Sequence, residues 1–317
     1  MTIFPAWLQS SWDFLLERKK NKTLPHALLF TGNKGVGKYQ LSVAFSRYLL
    51  CHTEQSCGQC HGCVLFSAGH HPDFFVLMPE EHGQIKIDQI RQITEKLNYT
   101  AQQGSYRIVV IKEAHAMNTA AANALLKTLE EPGEKTLLML TTASESFLPP
   151  TIRSRCQVLK IKADPVIAKT ALISQGLSEN ESLYFLDLSD NAPLAALEFS
   201  KSNYLTRREI IFKKIEKATV GKESVIALAH DLLEEPLDEV LLLFQLAFME
   251  LIKVKTNFKT AEELKNIAEK FSLKKLFSCY NFIINLRLKI NSNVNLNAQL
   301  LLENIFLKIR QESVHVG

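Results

Sequence analysis

A glycine-rich segment at residues 32–38 has the spacing of a phosphate-binding loop. It reads GNKGVGK, which fits the G-x-x-x-x-G-K pattern. Its glycines would let backbone N–H groups approach phosphate oxygens and its lysine would neutralise their charge: Gly32, Gly35, Gly37 and Lys38. The Ser or Thr that would ligate magnesium next is replaced by Tyr39. Two interpretations stay open: a site that binds ATP or ADP without hydrolysis, and a loop kept only as the turn between a strand and a helix.

The strand end that would hold the metal of such a site is also altered. Residues 107–111 (RIVVI) have the pattern of a buried strand, and an active ATPase would show Asp-Glu directly after it. Glu113 is present, but Lys112 replaces the aspartate. At short range in a poorly solvated cleft, an ammonium group would repel a divalent ion by several kcal/mol, on the order of magnitude given by Coulomb's law. Both changes affect the same metal, so the sequence predicts that the chain does not hydrolyse ATP.

Four of the six cysteines fall within thirteen residues and have metal-ligand spacing: Cys51, Cys57, Cys60 and Cys63. A CxxC pair can place two thiolates on one tetrahedral ion, and four thiolates close the coordination sphere. The sequence therefore predicts a structural zinc ion with no open position for catalysis. His52 and His61 remain as substitute ligands. The isolated Cys279 is predicted to be a core thiol.

Arg155 is the third candidate. It lies in a Ser-Arg-Cys triplet at residues 154–156, after a proline-containing loop and before the last predicted strand. One interpretation is a surface arginine in a local salt bridge. The other is an arginine presented outward, which would complete the nucleotide site of another subunit.

Five short apolar runs predict the strands that position these candidates: residues 26–31, 73–77, 107–111, 136–141 and 156–161. Helical patterns lie between them, for example at residues 41–49 and 122–129. Asn118 can cap the second of these helices, which must end before Pro132. Alternating strands and helices predict a doubly wound α/β fold with a parallel sheet covered by helices on both faces.

The strand patterns stop after residue 165. Residues 166–200 fit two or three short helices, and from about residue 207 the apolar spacing is helical throughout. The apolar stripes at residues 237–251 and 298–309 predict the core of a helical bundle.

Composition excludes several classes of protein. The 317 residues are 46% hydrophobic and 22% charged, which is ordinary for a globular chain of about two or three domains and too apolar for disorder. The longest apolar stretch, residues 240–252, is too short to span a bilayer, and the N-terminus lacks the pattern of a secretion signal, so we expect a cytoplasmic protein without membrane contact. The net charge is only +4, with 18 basic and 13 acidic residues in 1–163. DNA contact is therefore expected as one contribution among several.

Several segments together resemble one family, the bacterial clamp-loader branch of the AAA+ proteins, and within it the delta-prime subunits of DNA polymerase III. The resemblance rests on residues 24–29 (LPHALL), the four-cysteine insertion, residues 122–132 (ANALLKTLEEP) and the Ser-Arg-Cys triplet. These motifs are specific and span residues 5–162. The C-terminal part agrees mainly in length, position and its leucine-rich last helix.

The resemblance implies three parts. They are a RecA-like AAA+ domain at 1–163 with a zinc module at about 51–63, a three-helix lid at 164–207, and a helical collar at 208–317 that holds the oligomer together. It implies a non-hydrolysing subunit of a five-membered ring, with gamma/tau and delta subunits as partners, which opens a sliding clamp and closes it around primer–template DNA. The chain would belong to a DNA-directed DNA polymerase holoenzyme without ATPase or polymerase activity of its own.

The resemblance also assigns residues. Arg155 matches an arginine finger that reaches in trans toward the ATP of a neighbouring motor subunit, where such a group is worth about 10³-fold or more in rate. Thr142 matches a sensor-one position. Leu194, in residues 191–197 (NAPLAAL), occupies the place of the motor subunits' sensor-two arginine. Groups that would serve this chain's own nucleotide are thus altered, while the one that serves a neighbour is kept.

Three functions are compatible with the sequence. The chain is either this stator-like subunit, an ATP-hydrolysing motor of the gamma/tau type, or a zinc-dependent nucleic-acid-binding regulator. Phosphate contacts to DNA are expected around residues 86–91 (KIDQIR), where a solvated helix face is the competing interpretation.

Overall fold

The fold is described from a computed structural model, which covers residues 5–80, 83–97, 106–221, 223–257, 262–290 and 297–313. The chain divides into two compact units, Met1–Ser200 and Lys201–Gly317. The predicted AAA+ part and most of the predicted lid both fall in the first unit. The finer division into three domains stays a prediction.

A five-stranded sheet in the order β2-β3-β4-β1-β5 forms the centre of the first unit, and all of its neighbouring strands are parallel. The strands are β1 (Ala27–Thr31), β2 (Phe74–Leu77), β3 (Arg107–Ile111), β4 (Thr136–Thr142) and β5 (Gln157–Lys160). Each of the five predicted strands is present to within one residue at either end. All residues of β1, β3 and β4 are buried, as expected for a parallel sheet covered on both faces.

Helices cover the sheet on both faces. The α-helices before and between the strands are α1 (Gln9–Lys20), α2 (Lys38–Leu50), α3 (His61–Ser67), α4 (Ile87–Leu97), α5 (Thr119–Glu130) and α6 (Pro150–Arg153). Leu29 and Val109 pack with Leu125 of α5 in one core cluster. Because strand side chains alternate, the equally buried Leu28 and Ile108 point to the opposite face, where α2 packs against β3 and β4.

The predicted cap of α5 is confirmed. The Asn118 side chain accepts a hydrogen bond of 2.8 Å from the backbone N–H of Ala121, and the helix ends at Glu130, before Pro132. Three short helices complete the unit: α7 (Pro165–Ser174), α8 (Glu179–Leu188) and α9 (Pro193–Lys201). The side chain of Asp164 caps α7, and a Ser178–Glu181 capping box begins α8.

The second unit is helical throughout its described residues. Its helices are α10 (Tyr204–Val220), α11 (Val225–His230), α12 (Leu237–Lys255), α13 (Glu262–Glu269), α14 (Leu273–Ile290) and α15 (Ala298–Glu312). The predicted stripes on α12 and α15 form its core, where the rings of Phe244 and Phe306 meet edge to face at 5.6 Å. The predicted core thiol Cys279 is buried, and burial raises its pKa to about 12. None of the helices in the described parts of either unit is long and apolar enough to cross a membrane.

Candidate functional site

The predicted phosphate-binding loop lies between β1 and α2, as its sequence pattern requires. Lys38 is the first residue of α2, so its side chain begins where the loop's backbone N–H groups converge. Its ammonium group donates to the loop's own carbonyls, at 2.5 Å to Gly32 and 2.8 Å to Asn33. Burial lowers the pKa of Lys38 to about 8, against the opposing effect of the Glu113 carboxylate. The lysine that would neutralise a phosphate is therefore held by its own loop.

The first turn of α9 rests directly on this loop. The backbone N–H of Leu194 donates to the Gly35 carbonyl at 2.9 Å. A Cβ atom at Gly35 would lie 2.5 Å from the Ala195 nitrogen and 2.6 Å from its Cβ, and Gly35 has a left-handed φ of +83°. Only glycine fits this close approach without strain. The residue at the predicted sensor-two position thus contacts the loop through its backbone.

Side-chain hydrogen bonds attach the turn before α9 to the same loop. The Asn33 amide donates to the Asp190 carbonyl and to its carboxylate, both at 2.8 Å. Asp190 and Asn191 have left-handed φ values of 51° and 56°, a conformation that these two residue types tolerate better than most.

The N-terminal segment covers another side of the loop. The Trp7 indole N–H donates to the Val36 carbonyl at 2.9 Å. A Cβ at Gly37 would lie 3.1 Å from a Leu8 methyl and 3.3 Å from the Pro5 ring. Residues 32–37 are therefore enclosed by elements of their own unit from two directions.

The two residues that replace the magnesium ligands of an ATPase, Lys112 and Tyr39, contact each other. The Lys112 ammonium lies 5.6 Å from the centroid of the Tyr39 ring, within cation–π range. Burial raises the pKa of Tyr39, so its hydroxyl stays protonated and neutral at physiological pH. Glu113 has a left-handed conformation, and its N–H donates to the Thr141 hydroxyl at 3.1 Å. A cation and an aromatic ring thus occupy the positions where an ATPase would ligate magnesium.

The predicted sensor residue is buried and already bonded. The Thr142 hydroxyl donates to the Ser144 carbonyl at 3.0 Å and lies 3.3 Å from Nδ1 of His115. Burial lowers the pKa of His115, as does the positive charge of Lys38, while Glu113 opposes them. His115 is therefore neutral near pH 7.

A cleft of about 680 Å³ opens beside the loop, at the carboxyl ends of β1, β4 and β5. Its lining includes Asn33, Asp190 and two exposed lysines, Lys160 and Lys162. The volume is in the range of small-molecule sites, and the carboxyl ends of parallel strands are where α/β folds bind ligands.

The four cysteines converge at the end of α2 and the start of α3. Their sulfur atoms all lie within 4.8 Å of one another, with 3.6 Å between Cys51 and Cys57 and 3.9 Å between Cys51 and Cys60. Zinc bound to four thiolates at about 2.3 Å requires sulfurs about 3.8 Å apart, so the residues fit a tetrahedral ion. The group consists of the four cysteines, and the substitute candidates His52 and His61 are both exposed.

Backbone geometry brings the cysteines together. A Cβ at Gly62 would lie 2.6 Å from the Leu50 carbonyl, so the glycine permits α3 to start against the end of α2. Backbone N–H groups of Cys57, Cys60 and Cys63 each donate to the preceding cysteine's sulfur in the series, all at 3.4 Å. Such hydrogen bonds stabilise thiolates.

The thiols differ in their tendency to ionise. Burial opposes ionisation of Cys51, but hydrogen bonds from the Thr53 side chain and from backbone N–H groups bring its pKa down to about 5. Backbone hydrogen bonds also lower the pKa of Cys57, whereas burial raises that of Cys63 to about 11. The cluster could hold a metal ion, which would bind all four sulfurs as thiolates.

Arg155 lies just after α6 and makes the local salt bridge that was one of its two interpretations. Its Nε donates to Oε1 of Glu130 at 2.8 Å, its Nη2 lies 2.5 Å from the same oxygen, and its Nη1 donates to the Thr151 carbonyl at 2.9 Å. The side chain remains 34% exposed, so it is also within reach of a partner.

The basic stretch at residues 86–91 comprises Lys86 and the start of α4, and its charges are balanced locally. Lys86 lies 3.2 Å from the Glu80 carboxylate, and Arg91 lies 3.6 Å from Asp88. This pairing favours the solvated helix face over a strong phosphate-binding surface.

The structure brings the predicted loop, Lys112, Glu113 and Thr142 together at one edge of the sheet, and it places the cysteines and Arg155 at separate locations. Sequence reasoning missed Glu130 as the partner of Arg155, although that residue stands in the ANALLKTLEEP run. It also missed Asn33 and Asp190, for which the adjacent Asp-Asn pair was the available signal of a tight left-handed turn.

Comparisons with known proteins cover both units. The family model described as DNA polymerase III, delta subunit, matches residues 8–165, and a second model, for the C-terminal part of the delta subunit, matches residues 202–311. The DNA polymerase III subunit delta' of Pseudomonas aeruginosa is 31% identical over 96% of this chain and 97% of its own length. That of Escherichia coli is 37% identical, and the match spans 65% of this chain and 63% of the relative, less than two thirds of its length.

Among solved structures, a DNA polymerase III gamma subunit-related protein from Thermotoga maritima has the same fold. The TM-score is 0.53 at 20% identity, and the match covers 96% of this chain and 99% of the other.

Proposed function

Because the chain belongs to the delta-prime subunit family of DNA polymerase III, we propose that it is a non-hydrolysing, stator-like subunit of a clamp loader. It would support ATP-dependent loading of a sliding clamp onto primed DNA, with gamma/tau and delta subunits as the other members of the ring. A role in replication of the bacterial chromosome would place it in the cytoplasm.

The contact between Lys112 and Tyr39 carries the proposal. These are the two positions where an ATPase would hold magnesium, and here a cation lies 5.6 Å from the centroid of an aromatic ring instead. Without the metal, the charge that develops on a transferring phosphoryl group would lack its main counter-charge. The Lys38 ammonium, already bonded to two loop carbonyls, adds a second obstacle, because phosphate would have to displace those hydrogen bonds.

A nucleotide in this loop would not be hydrolysed by this chain. The cleft beside the loop has room for a small molecule, and its lining carries two lysines, Lys160 and Lys162, and two acidic residues, Glu145 and Asp190. Residues of the loop that would take part are Gly32, Gly35, Gly37 and Lys38, with Thr142 at the strand end.

Arg155 would act on the neighbouring subunit's ATP. Arginine suits this task because its planar guanidinium stays charged and presents paired N–H donors to phosphate oxygens. The residue is partly exposed and lies outside the chain's own loop, and it would stabilise charge on the phosphoryl group that the neighbour transfers.

The four cysteines would hold zinc as a structural ion. A site of four thiolates leaves no open coordination position, so the metal would fix the start of α3 against α2 and supply no chemistry. Cys51, Cys57, Cys60 and Cys63 would be its ligands, and metal binding would contribute directly to the stability of this module.

DNA and the sliding clamp would be contacted by the assembled ring. Since the charges at residues 86–91 are paired with carboxylates, this chain alone would bind primer–template DNA weakly and through phosphates only.

Reconstitution with the motor and delta subunits tests the proposal. The Arg155→Ala ring should assemble but lose the turnover of the site that the arginine serves, whereas Lys127→Ala, which removes an exposed charge from neighbouring α5, should match the wild type. Unchanged DNA-stimulated ATPase in a fully assembled Arg155→Ala ring would refute the assignment. ATP turnover by the isolated chain that Lys38→Ala abolishes would establish the motor alternative instead.

A further inference from the structure

The carboxylate of Glu130 and the guanidinium of Arg155 join two elements of the first unit. Glu130 is the last residue of α5, and Arg155 lies two residues after the end of α6. Their contacts are short, at 2.8 Å from Nε and 2.5 Å from Nη2 to one carboxylate oxygen. The arginine is therefore held by a rigid helix end rather than by its own flexible stem alone.

Helix stability does not explain a glutamate at this position. The last turn of a helix carries the negative end of the backbone dipole, so a carboxylate there is disfavoured and a cation is preferred. The charge of Glu130 is compensated by Arg155, which lies at the same helix end. The interaction of Glu130 is thus with Arg155 and not with its own helix.

The donors of Arg155 are used unequally. A guanidinium has five N–H groups in a fixed planar fork. Those used are one on Nε and one on Nη2, which face Glu130, and one on Nη1, which faces the Thr151 carbonyl at 2.9 Å. The second N–H of Nη1 makes only a long, 3.4 Å hydrogen bond to the Ser154 hydroxyl. Among the described residues, the second N–H of Nη2 has no acceptor. A phosphate that displaced the weak bond to Ser154 could take both N–H groups in the two-oxygen contact that arginine makes with phosphate.

We propose that Glu130 is a positioning residue for Arg155: it holds the side edge of the guanidinium so that the end of the fork faces a neighbouring subunit's phosphate. The inference rests on the proposed function, and it adds a residue with a defined role. Glu130 does not touch the nucleotide. It fixes the rotamer of the group that does, and so reduces the ordering that the arginine would otherwise undergo when the site closes.

The test uses the reconstituted ring and measures its DNA-stimulated ATPase as kcat and KM for ATP. The ATPase rate that is lost in Arg155→Ala is the part of the total rate that comes from the site served by this arginine. An ion pair as exposed as this one contributes a modest interaction free energy, so Glu130→Ala should lower turnover at that site about two- to fivefold. Roughly half to four fifths of the rate that depends on Arg155 would then be lost. KM should stay within about twofold, since the guanidinium acts mainly in the transition state.

Two further variants separate positioning from a structural effect. Glu130→Gln keeps an oxygen that accepts from Nε, so it should retain more activity than Glu130→Ala. The double variant Glu130→Ala/Arg155→Ala should be no slower than Arg155→Ala alone, because the carboxylate acts only through the arginine. The matched control is Glu131→Ala, which removes the adjacent exposed carboxylate and should leave the rate unchanged.

The outcomes are distinct. Wild-type turnover in Glu130→Ala, with reduced turnover in Arg155→Ala, overturns this inference and leaves the proposed function intact. A rate increase in Glu130→Ala also overturns it, because the carboxylate would then mask the arginine rather than position it. An unaffected Arg155→Ala ring overturns the proposed function and this inference together.

Discussion

Replacing Gly35 by alanine is the sharpest structural test of the contact between the loop and α9. The new Cβ would lie 2.5 Å from the Ala195 nitrogen and 2.6 Å from its Cβ, both parts of a helix start that cannot rotate away. At φ +83° the substitution also forces a left-handed conformation on a residue with a side chain. The variant should therefore lose the contact between Gly35 and the first turn of α9.

The magnitude follows from two terms. The left-handed conformation costs about 1–2 kcal/mol for a non-glycine residue. Overpacking against backbone adds about 1–3 kcal/mol. Gly69→Ala is the matched control, because Gly69 has a similar φ of +75° and a Cβ there would meet nothing within 4 Å. Gly35→Ala should exceed this control by the overpacking term, which for a unit of this size corresponds to a melting temperature lower by at least about 2 °C.

The assays are urea unfolding of the full chain and hydrogen exchange of the peptide that contains residues 193–201. The Leu194 N–H, which donates to the Gly35 carbonyl, should exchange faster in Gly35→Ala and at the wild-type rate in Gly69→Ala. Suppose instead that Gly35→Ala and Gly69→Ala lower the free energy of unfolding equally and that residues 193–201 exchange hydrogen at the same rate in both variants. The close approach of α9 to the loop would then be wrong.

Two further predictions concern the metal and the pH dependence. Elemental analysis of freshly purified chain should find about one zinc ion, which Cys57→Ser/Cys60→Ser should lose along with stability; metal-free fresh protein would contradict the site. Burial lowers the pKa of His115 in the folded chain. Below the unfolded pKa of about 6.5, the unfolded chain therefore binds a proton at this ring that the folded chain excludes. The free energy of unfolding should thus fall as the pH decreases from 7 to 5. His115→Asn should reduce that slope in urea titrations, and an identical slope in variant and wild type would show that the ring is not buried as described.

The sheet could be predicted from sequence because its strands are recognisable locally. Runs such as RIVVI are apolar without alternation, which a parallel strand covered on both faces requires, and turn residues bound them. The helix capped by Asn118 followed from one side chain and a proline. The cysteine cluster followed from spacing, since CxxC brings thiolates together whatever the rest of the fold does.

The remaining site geometry depends on contacts between segments distant in sequence. Tyr39 and Lys112 were each recognised as departures from an ATPase, but their contact depends on how α2 packs beside the end of β3. Leu194 was identified as a missing arginine, whereas its backbone bond to Gly35 depends on the placement of α9. For Arg155, the sequence left a salt bridge and a presented finger as competing interpretations. Its Nε and Nη2 contact Glu130 while the side chain stays partly exposed, which is compatible with both interpretations.

The most direct measurement compares Lys38→Ala and Arg155→Ala in the same reconstituted loader, by DNA-stimulated ATP hydrolysis with ring assembly verified by native mass spectrometry. If the chain supplies an arginine to a neighbour's ATP site and does not hydrolyse ATP itself, the lysine variant should have the wild-type rate. The arginine variant should lose turnover at the neighbouring site, by about 10³-fold at that site. The opposite pattern, a slow lysine variant beside a fully active arginine variant, would contradict the account.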